Sequence, residues 1–301
     1  DQDHGYSFQV PRAEFDNELL IHAKRSGATV IQPAAVSKVN LNIDSVEVET
    51  SMGNIKAKYL VDATGRESLL GRQLGVRNSN KEFNNIAVFG HFLNIKRTPG
   101  KREGDIVLGV LPNKCWSWII PFKGEICSMG IVADSKQNQG AKFDRDFIYN
   151  ALGAIPMLKD MVEKSDSINQ IQVVTNYSER CQQIVGERWI MIGDAACFLD
   201  PVFSTGVHVG LKSAEFAAQI IGDAFKAGAN FTETESGKNY KDHLHKGIMR
   251  FRSLLRMFYD TDFVPSMKKA QHRKNVMQAF TSVVGGDAWN DENDLFKNGI
   301  M

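Results

Sequence analysis

The stretch "RWIMIGDAACFLDPVFSTGVHVGLKSAEFAAQIIGDAFKA", residues 188–227, constrains the fold more than any other. An apolar run short enough for a buried strand stops at Gly193. A turn of small and acidic residues with one proline follows, and then an Ala-rich helix expected over 207–227. Strand, turn and helix in that order form the repeating unit of α/β domains, and the carboxyl end of such a strand is where these sheets present ligand-facing groups. Gly193 and Gly206 permit backbone conformations or close approaches denied to other residues. Asp194 sits where the strand ends, and Pro201 fixes the turn. Ser204 and Thr205 are N-cap residue types for the helix that begins near Gly206. A helix N-terminus carries roughly half a positive charge and free N–H groups, so the turn can hold an anion or an electron-rich ring. Each residue alone is more simply explained as part of a tight turn or a cap. The ordered set, with strand before and helix after, is what points to a ligand.

The surrounding organisation agrees with a mixed α/β (α+β) fold. "VPRAEFDNELLIHAKRSGATVI" places Phe15, Leu19, Leu20 and Ala23 at helical spacing, with Arg25 and Gly27 as a stop signal. The β-branched, alternating segments "ATVIQ", "VSKVNLNI", "SVEVETS" and "NIKAKYLVDATG" are expected to be strands. From about Asn80 to Tyr177 the texture changes to "NIAVFGHFLNI", "GDIVLGVLP", "CWSWIIPF" and "ICSMGIVAD", joined by turns and followed by a helix expected over 143–164 and a strand in "INQIQVVTNY". The reading is an antiparallel sheet inserted into another domain. Its boundaries are 1–78 for the first part of a Rossmann-like domain, 79–178 for the inserted substrate domain, 179–228 for the return segment and 229–301 for a C-terminal helical region.

Composition narrows the class. At 301 residues the chain can bury a sizeable core, and 36 basic against 35 acidic side chains leave a net charge of +1. That balance provides no basic footprint for nucleic acid. No apolar run approaches the ~18–20 residues of a membrane span. Cys115, Cys127, Cys181 and Cys197 are scattered, with neither a CxxC pair nor metal spacing, so they are read as reduced core thiols of a cytoplasmic protein without a metal site. "DQDHGYSFQV" has neither an initiator Met nor a signal-peptide profile, and it reads as a chain already in progress.

Several motifs now converge. "GDAACFLDPVFSTGVH" resembles the second flavin-contacting motif of the flavoprotein monooxygenase superfamily, in the form found in flavin-dependent halogenases of the tryptophan halogenase-like family. "CWSWIIP" contains Trp116-x-Trp118-x-Ile120-Pro121, similar to the W-x-W-x-I-P signature that separates those halogenases from their relatives. "YSFQVPRAEFDNELLIHAKRSGATV" and "YLVDATGRESLLGRQLG" resemble two further segments of the same flavin domain. A pair of Trp at i and i+2 on a strand is by itself no more than a bulky patch on one face. The second motif is what tips it toward the family.

The resemblance implies a reaction. Reduced FAD and oxygen would form a flavin hydroperoxide, chloride or bromide would attack it to give hypohalous acid, and a lysine would direct halogen onto an electron-rich aromatic carbon. Carried over by motif, Gly193, Asp194, Pro201, Gly206 and Val207 would contact FAD, with Arg12 and Val36 contributing and Asp62 and Gly65 near the nucleotide half. Thr205 and Gly206 would bind the halide through backbone N–H groups, and Trp116 and Trp118 would screen the organic substrate from the flavin. Two family features, the G-x-G-x-x-G fingerprint and the catalytic lysine, are expected upstream of residue 1. Halogenases of free tryptophan carry a Glu where this chain has Phe203, so Phe203 resembles the branch acting on phenols or pyrroles, often bound to an acyl or peptidyl carrier protein. A separate flavin reductase is the other expected partner. The alternatives are an FAD-dependent aromatic monooxygenase of the same superfamily and a non-catalytic, truncated binding module. His208 is a further candidate for the flavin pocket, His243 and His245 lie on different helix faces and make poor paired ligands, and "MKKAQHRK" is a basic helix face that could dock a carrier protein.

Overall fold

The computed structural model describes residues 8–79, 84–112, 114–175, 179–260 and 263–297. The chain opens with α1 (Arg12–Arg25), then β1 (Val36–Leu41), β2 (Val46–Thr50), β3 (Gly53–Ala57), β4 (Leu60–Asp62), α2 (Leu69–Gln73) and β5 (Arg77–Ser79). Next come β6 (Asn85–Leu93), β7 (Val107–Leu111), β8 (Cys115–Pro121), β9 (Cys127–Asp134), α3 (Arg145–Gly153), α4 (Pro156–Val162), β10 (Asp166–Ser167) and β11 (Gln172–Thr175). β12 (Glu179–Cys181), β13 (Trp189–Met191) and β14 (Cys197–Phe198) lead into α5 (Gly206–Ala227), α6 (Glu235–Tyr259), α7 (Phe263–Ala270), α8 (Lys274–Val284) and α9 (Asp294–Lys297).

Contacts divide the described residues into two units, one built from 33–79 and 179–297, the other from 8–32 and 84–175. Residues 8–32, with α1, therefore group with the second unit and not with the strands that follow them. Gln9 reaches into that unit, donating from Nε2 to the Gly104 carbonyl (2.7 Å).

In the second unit the strands form an antiparallel sheet in the order β10-β6-β9-β8-β7, with β11 also on β6. Alternation explains its two faces. Val88, Ile119, Met129 and Ile131 point to the side where Ile148, Leu152 and Leu158 of α3 and α4 complete a buried core. Trp116 and Trp118 point to the other side, their rings 5.6 Å apart. Trp116 is buried, and Trp118 donates from Nε1 to Ser128 Oγ (3.0 Å). Opposite Trp118 in the ladder is Gly130, where a Cβ would meet the indole at 2.4 Å. The absent side chain is what lets the Trp118 ring lie across β9.

Three local expectations change. The single helix over 143–164 is two, because Pro156 lacks an N–H and forces the preceding Ile155 into extended backbone (φ −118°, ψ 114°). Asp144 caps the first of them, accepting from the Phe147 N–H (3.2 Å). "ATVIQ" is not a strand, since residues 28–32 have no ladder partner among the described residues. "NIKAKYLVDATG" is split between β3, in the meander β1-β2-β3, and β4, in a different sheet.

In the first unit β4 and β13 pair in parallel, Leu60 opposite Trp189 and Asp62 opposite Met191. Helices α5, α6 and α8 cover this pair with Ile220, Ala224, Leu244, Phe251, Leu254 and Val283. Buried Tyr240 of α6 donates its hydroxyl to the Met191 carbonyl (2.7 Å), fixing the helix to the strand end. Among the described residues no helix is long and apolar enough to cross a membrane.

Gly130→Val is expected to destabilise the protein by about 1–3 kcal/mol through overpacking against Trp118. Guanidinium unfolding followed by indole fluorescence measures this, and an unchanged midpoint would show that the ring has room to move.

Candidate functional site

The parallel ladder carries β4 and β13 to the same end, where each runs into a turn: Asp62-Ala63-Thr64-Gly65 and Gly193-Asp194-Ala195. The Ile192 N–H donates to the Asp62 carbonyl (3.0 Å), so the two chains separate only beyond this point. Asp62 is buried and fully engaged. Its Oδ1 accepts from the Thr64 N–H (2.9 Å) and hydroxyl (2.6 Å), and its Oδ2 from the Leu70 N–H (2.8 Å). This carboxylate shapes the turn and satisfies the start of α2. Gly65 takes the positive φ (+60°) that the turn needs. Ser68 joins the two turns, donating from Oγ to the Ala195 carbonyl (2.8 Å).

The second turn is packed from behind by α5. Gly193 has φ +55°, and a Cβ there would lie 3.4 Å from the Gly210 Cα. Its N–H donates to buried Ser213 Oγ (2.8 Å), which in turn donates to the Gly210 carbonyl (2.9 Å). The turn at Gly193 thus packs on the α5 backbone at Gly210 and is tied to it through Ser213. Asp194 follows in the same short helical turn, with its Oδ1 4.0 Å from where a Gly206 Cβ would be.

Residues 200–207 form the other wall. Asp200 is buried, with Oδ1 accepting from the Val202 N–H (3.1 Å) and Oδ2 from the Tyr259 hydroxyl (2.8 Å) at the end of α6. Pro201 opens a short helical turn over Pro201–Phe203. The Phe203 ring packs edge-on against Phe258 (5.9 Å) and Phe280 (6.1 Å). Ser204 is left-handed (φ +53°) and ends that turn, while Thr205 holds the N-cap position of α5 without a side-chain cap hydrogen bond. The expected Ser/Thr cap is therefore absent. The left-handed backbone takes Ser204 out of the cap position, and Thr205, itself buried with α-region dihedrals (φ −77°, ψ −11°), is not in the extended geometry of a capping residue. The first N–H groups of α5, at Gly206 and Val207, therefore receive no side-chain cap from Thr205. What results is a backbone cradle: a helix start, a small-residue turn and an acid at the carboxyl ends of two parallel strands.

The remaining candidates sit elsewhere. Arg12 opens α1 and grips Asp16 through Nε (2.9 Å) and Nη2 (2.8 Å). Arg12, Trp116 and Trp118 belong to the sheet unit, whereas Val36 begins β1 in the same unit as the two turns, exposed and opposite Thr50. His208 faces the C-terminal layer, with its ring 5.5 Å from Trp289 and 6.2 Å from Phe251. Burial lowers its pKa, and its enclosed Nε2 has no hydrogen-bond partner. His243 packs on Phe216 (5.2 Å) while His245 meets Arg180 Nη1 (3.4 Å), so the two do separate. All four cysteines are free, and the described residues contain no cluster able to hold a metal. Burial pushes the Cys197 thiol up to about 12, although Arg180 and Arg252 pull it down.

Sequence reading missed Ser68, Gly210, Ser213 and Tyr259. Gly210 and Ser213 share a helix face at i and i+3, a signal that was available. Nothing local marks Tyr259 as the partner of Asp200.

This arrangement is that of a mixed α/β protein with a backbone cradle at paired parallel strand ends. The chain belongs to the tryptophan halogenase family, whose model matches residues 2–299. It is 31% identical over 289 residues to the 1H-pyrrole-2-carbonyl-[peptidyl-carrier protein] chlorinase of Pseudomonas fluorescens, covering 92% of this chain and 64% of that protein. It is 26% identical to the corresponding brominase of Pseudoalteromonas luteoviolacea, covering 98% of this chain and 74% of the relative. The solved structure of the flavin-dependent brominase Bmp2 superposes with a TM-score of 0.86 at 25% identity, over 98% of this chain and 75% of that one. The chain spans 64% of the chlorinase and about half of several other halogenases that it matches.

Two tests follow from this geometry. Ser213→Ala leaves the Gly193 N–H buried and unpaired, and is expected to cost about 1–3 kcal/mol in denaturant unfolding, against little change for Ser213→Thr if its hydroxyl keeps the bond. Cys197, with its raised pKa, stays a neutral thiol near pH 8.5 in the native protein and should resist alkylation until the chain unfolds. Because the unfolded thiol ionises first, its contribution to stability is complete below about pH 8.5 and is lost as pH rises toward the folded value. Rapid alkylation of Cys197 under native conditions would show that the turn opens.

Proposed function

We propose that the protein takes part in the FAD- and oxygen-dependent halogenation of an electron-rich aromatic, pyrrolic or phenolic, presented on a carrier protein. The observation that carries this reading is the uncapped N-terminus of α5 beside the Gly193–Ala195 turn. Its donor set is backbone N–H with no N-cap side-chain hydrogen bond, which suits a halide. Thr205 and Gly206 would hold chloride or bromide there, stabilised by the helix dipole.

The residues also fit a flavin. Gly193, Asp194, Pro201, Gly206 and Val207 offer a backbone surface with little side-chain bulk. Gly206 has open space above it, since a Cβ there would meet nothing nearer than Asp194 Oδ1 and the Phe198 ring, both 4.0 Å away. Reduced FAD, when bound, would supply the activation of oxygen. Asp62 and Gly65 would bound the nucleotide side through the turn they shape, with Arg12 and Val36 contributing from earlier in the chain. Trp116 and Trp118 would supply the aromatic surface that keeps the acceptor from direct oxygen transfer. Phe203, held by Phe258 and Phe280, puts a phenyl ring where a carboxylate would orient a free amino acid, which supports an acceptor delivered by other means. A separate reductase would provide the reduced flavin, and the free thiols favour a cytoplasmic setting.

The experiment supplies the protein with FAD, a flavin reductase, oxygen, bromide and a pyrrole-2-carbonyl thioester, and reads the product by mass spectrometry. Brominated pyrrole is expected. A hydroxylated product independent of halide would replace this reading with that of a monooxygenase. The variant Gly206→Asp places a carboxylate at the helix start and should weaken chloride binding, measured by the chloride NMR linewidth, by about tenfold or more. Unchanged binding would move the halide away from this turn.

A further inference from the structure

We propose that the exposed cationic segment joining α7 to α8 is the docking surface for the carrier protein that presents the acceptor. The inference rests on the carrier-bound reading above. From Phe263 to Gly286 the sequence contains Lys268, Lys269, His272, Arg273 and Lys274 and not one Asp or Glu, in a chain whose overall charge is only +1. All five side chains are exposed. Some cations of the same unit are paired, as Lys212 is with Glu215 and Lys246 and Arg250 are with Asp291, and others such as Lys226 and Lys238 are single exposed charges among the described residues. Among the described residues no carboxylate pairs with Lys268, Lys269, Arg273 or Lys274. Five exposed cations with no acid among them make a local positive field that steers an anionic partner toward this face.

The location selects the partner. Phe263 of α7 packs on Phe258 (5.1 Å), Phe258 packs on Phe203 (5.9 Å), and Phe203 packs on Phe280 of α8 (6.1 Å). Phe203 is followed directly by Ser204, Thr205 and Gly206 at the start of α5. The cationic segment therefore runs into α8, whose Phe280 packs on Phe203, and continues from α7, which is linked to Phe203 through Phe258 of α6. A carrier protein delivers its acyl group on a long phosphopantetheine arm, whose phosphodiester places an anion at the carrier's own surface. Docking there would bring that anion onto the lysines and leave the arm to run past Phe203. A nucleic acid would need a more extended basic stripe and has no use for this connection.

Binding is measured by biolayer interferometry between the protein and a peptidyl carrier protein charged with pyrrole-2-carboxylate as its phosphopantetheine thioester. The combined variant Lys268→Glu, Lys269→Glu, Arg273→Glu and Lys274→Glu should bind about tenfold more weakly or worse, mainly through slower association, and high salt should narrow the difference. A control variant, Lys226→Glu with Lys238→Glu, should bind as the parent does. Binding of the small pyrrole-2-carbonyl thioester should be the same in all three, which reports an intact fold and site. Equal carrier affinity in parent and quadruple variant would overturn the docking surface and leave the carrier reading standing. A parent protein that halogenates or binds the free thioester but not the charged carrier would overturn both.

Discussion

Everything at the candidate site depends on the parallel ladder between β4 and β13. It is short, Leu60–Asp62 against Trp189–Met191, but it sets two strand ends side by side and releases both chains into turns at the same edge. Ser68 bridges those turns, and Asp62 satisfies the amides of its own turn. Helix α5 then closes over the second turn through Gly193, Gly210 and Ser213. Gly193 holds a left-handed φ of +55° in that turn, so a side chain there would strain the backbone that precedes Asp194.

Much of this was legible because periodicity and turn chemistry are local. The apolar run of β13, the small-residue turn and the Ala-rich helix come from one contiguous stretch, and α5 spans Gly206–Ala227 where a helix over 207–227 was expected. The strands of the second unit were legible for the same reason, as period-two alternation with turns between. Failures cluster where the outcome depends on a distant partner or on one backbone angle. "ATVIQ" has strand composition, but a strand exists only with a ladder. Ser204 has cap chemistry, but its left-handed φ takes it out of position. Gly130 looked like any strand glycine, and its reason lies on the neighbouring strand in the Trp118 ring.

Family membership and geometry constrain each other here. The family match covers nearly the whole chain, yet it says nothing of how individual residues are used in it. The structure shows Asp62 occupied by three backbone and hydroxyl donors, so any part it plays toward a nucleotide runs through the shape of its turn. It shows Phe203 as a packing residue in an aromatic cluster of α6 and α8. That cluster makes the C-terminal helices part of the foundation of this loop.

The loop over 200–207 has a rigid rear and an open front. Behind it, the Asp200 carboxylate is fixed by Tyr259 and by the Val202 N–H, and Phe203 is wedged between two rings. In front, Thr205 makes no side-chain cap hydrogen bond to α5, although its chemistry allows one. Helices usually satisfy those donors with a cap worth about 1 kcal/mol. Under the halide-binding proposal, the donors that such a cap would have satisfied would serve an anion instead. On that proposal, anchoring at the rear would favour binding, because donors fixed in place lose little entropy when an anion arrives.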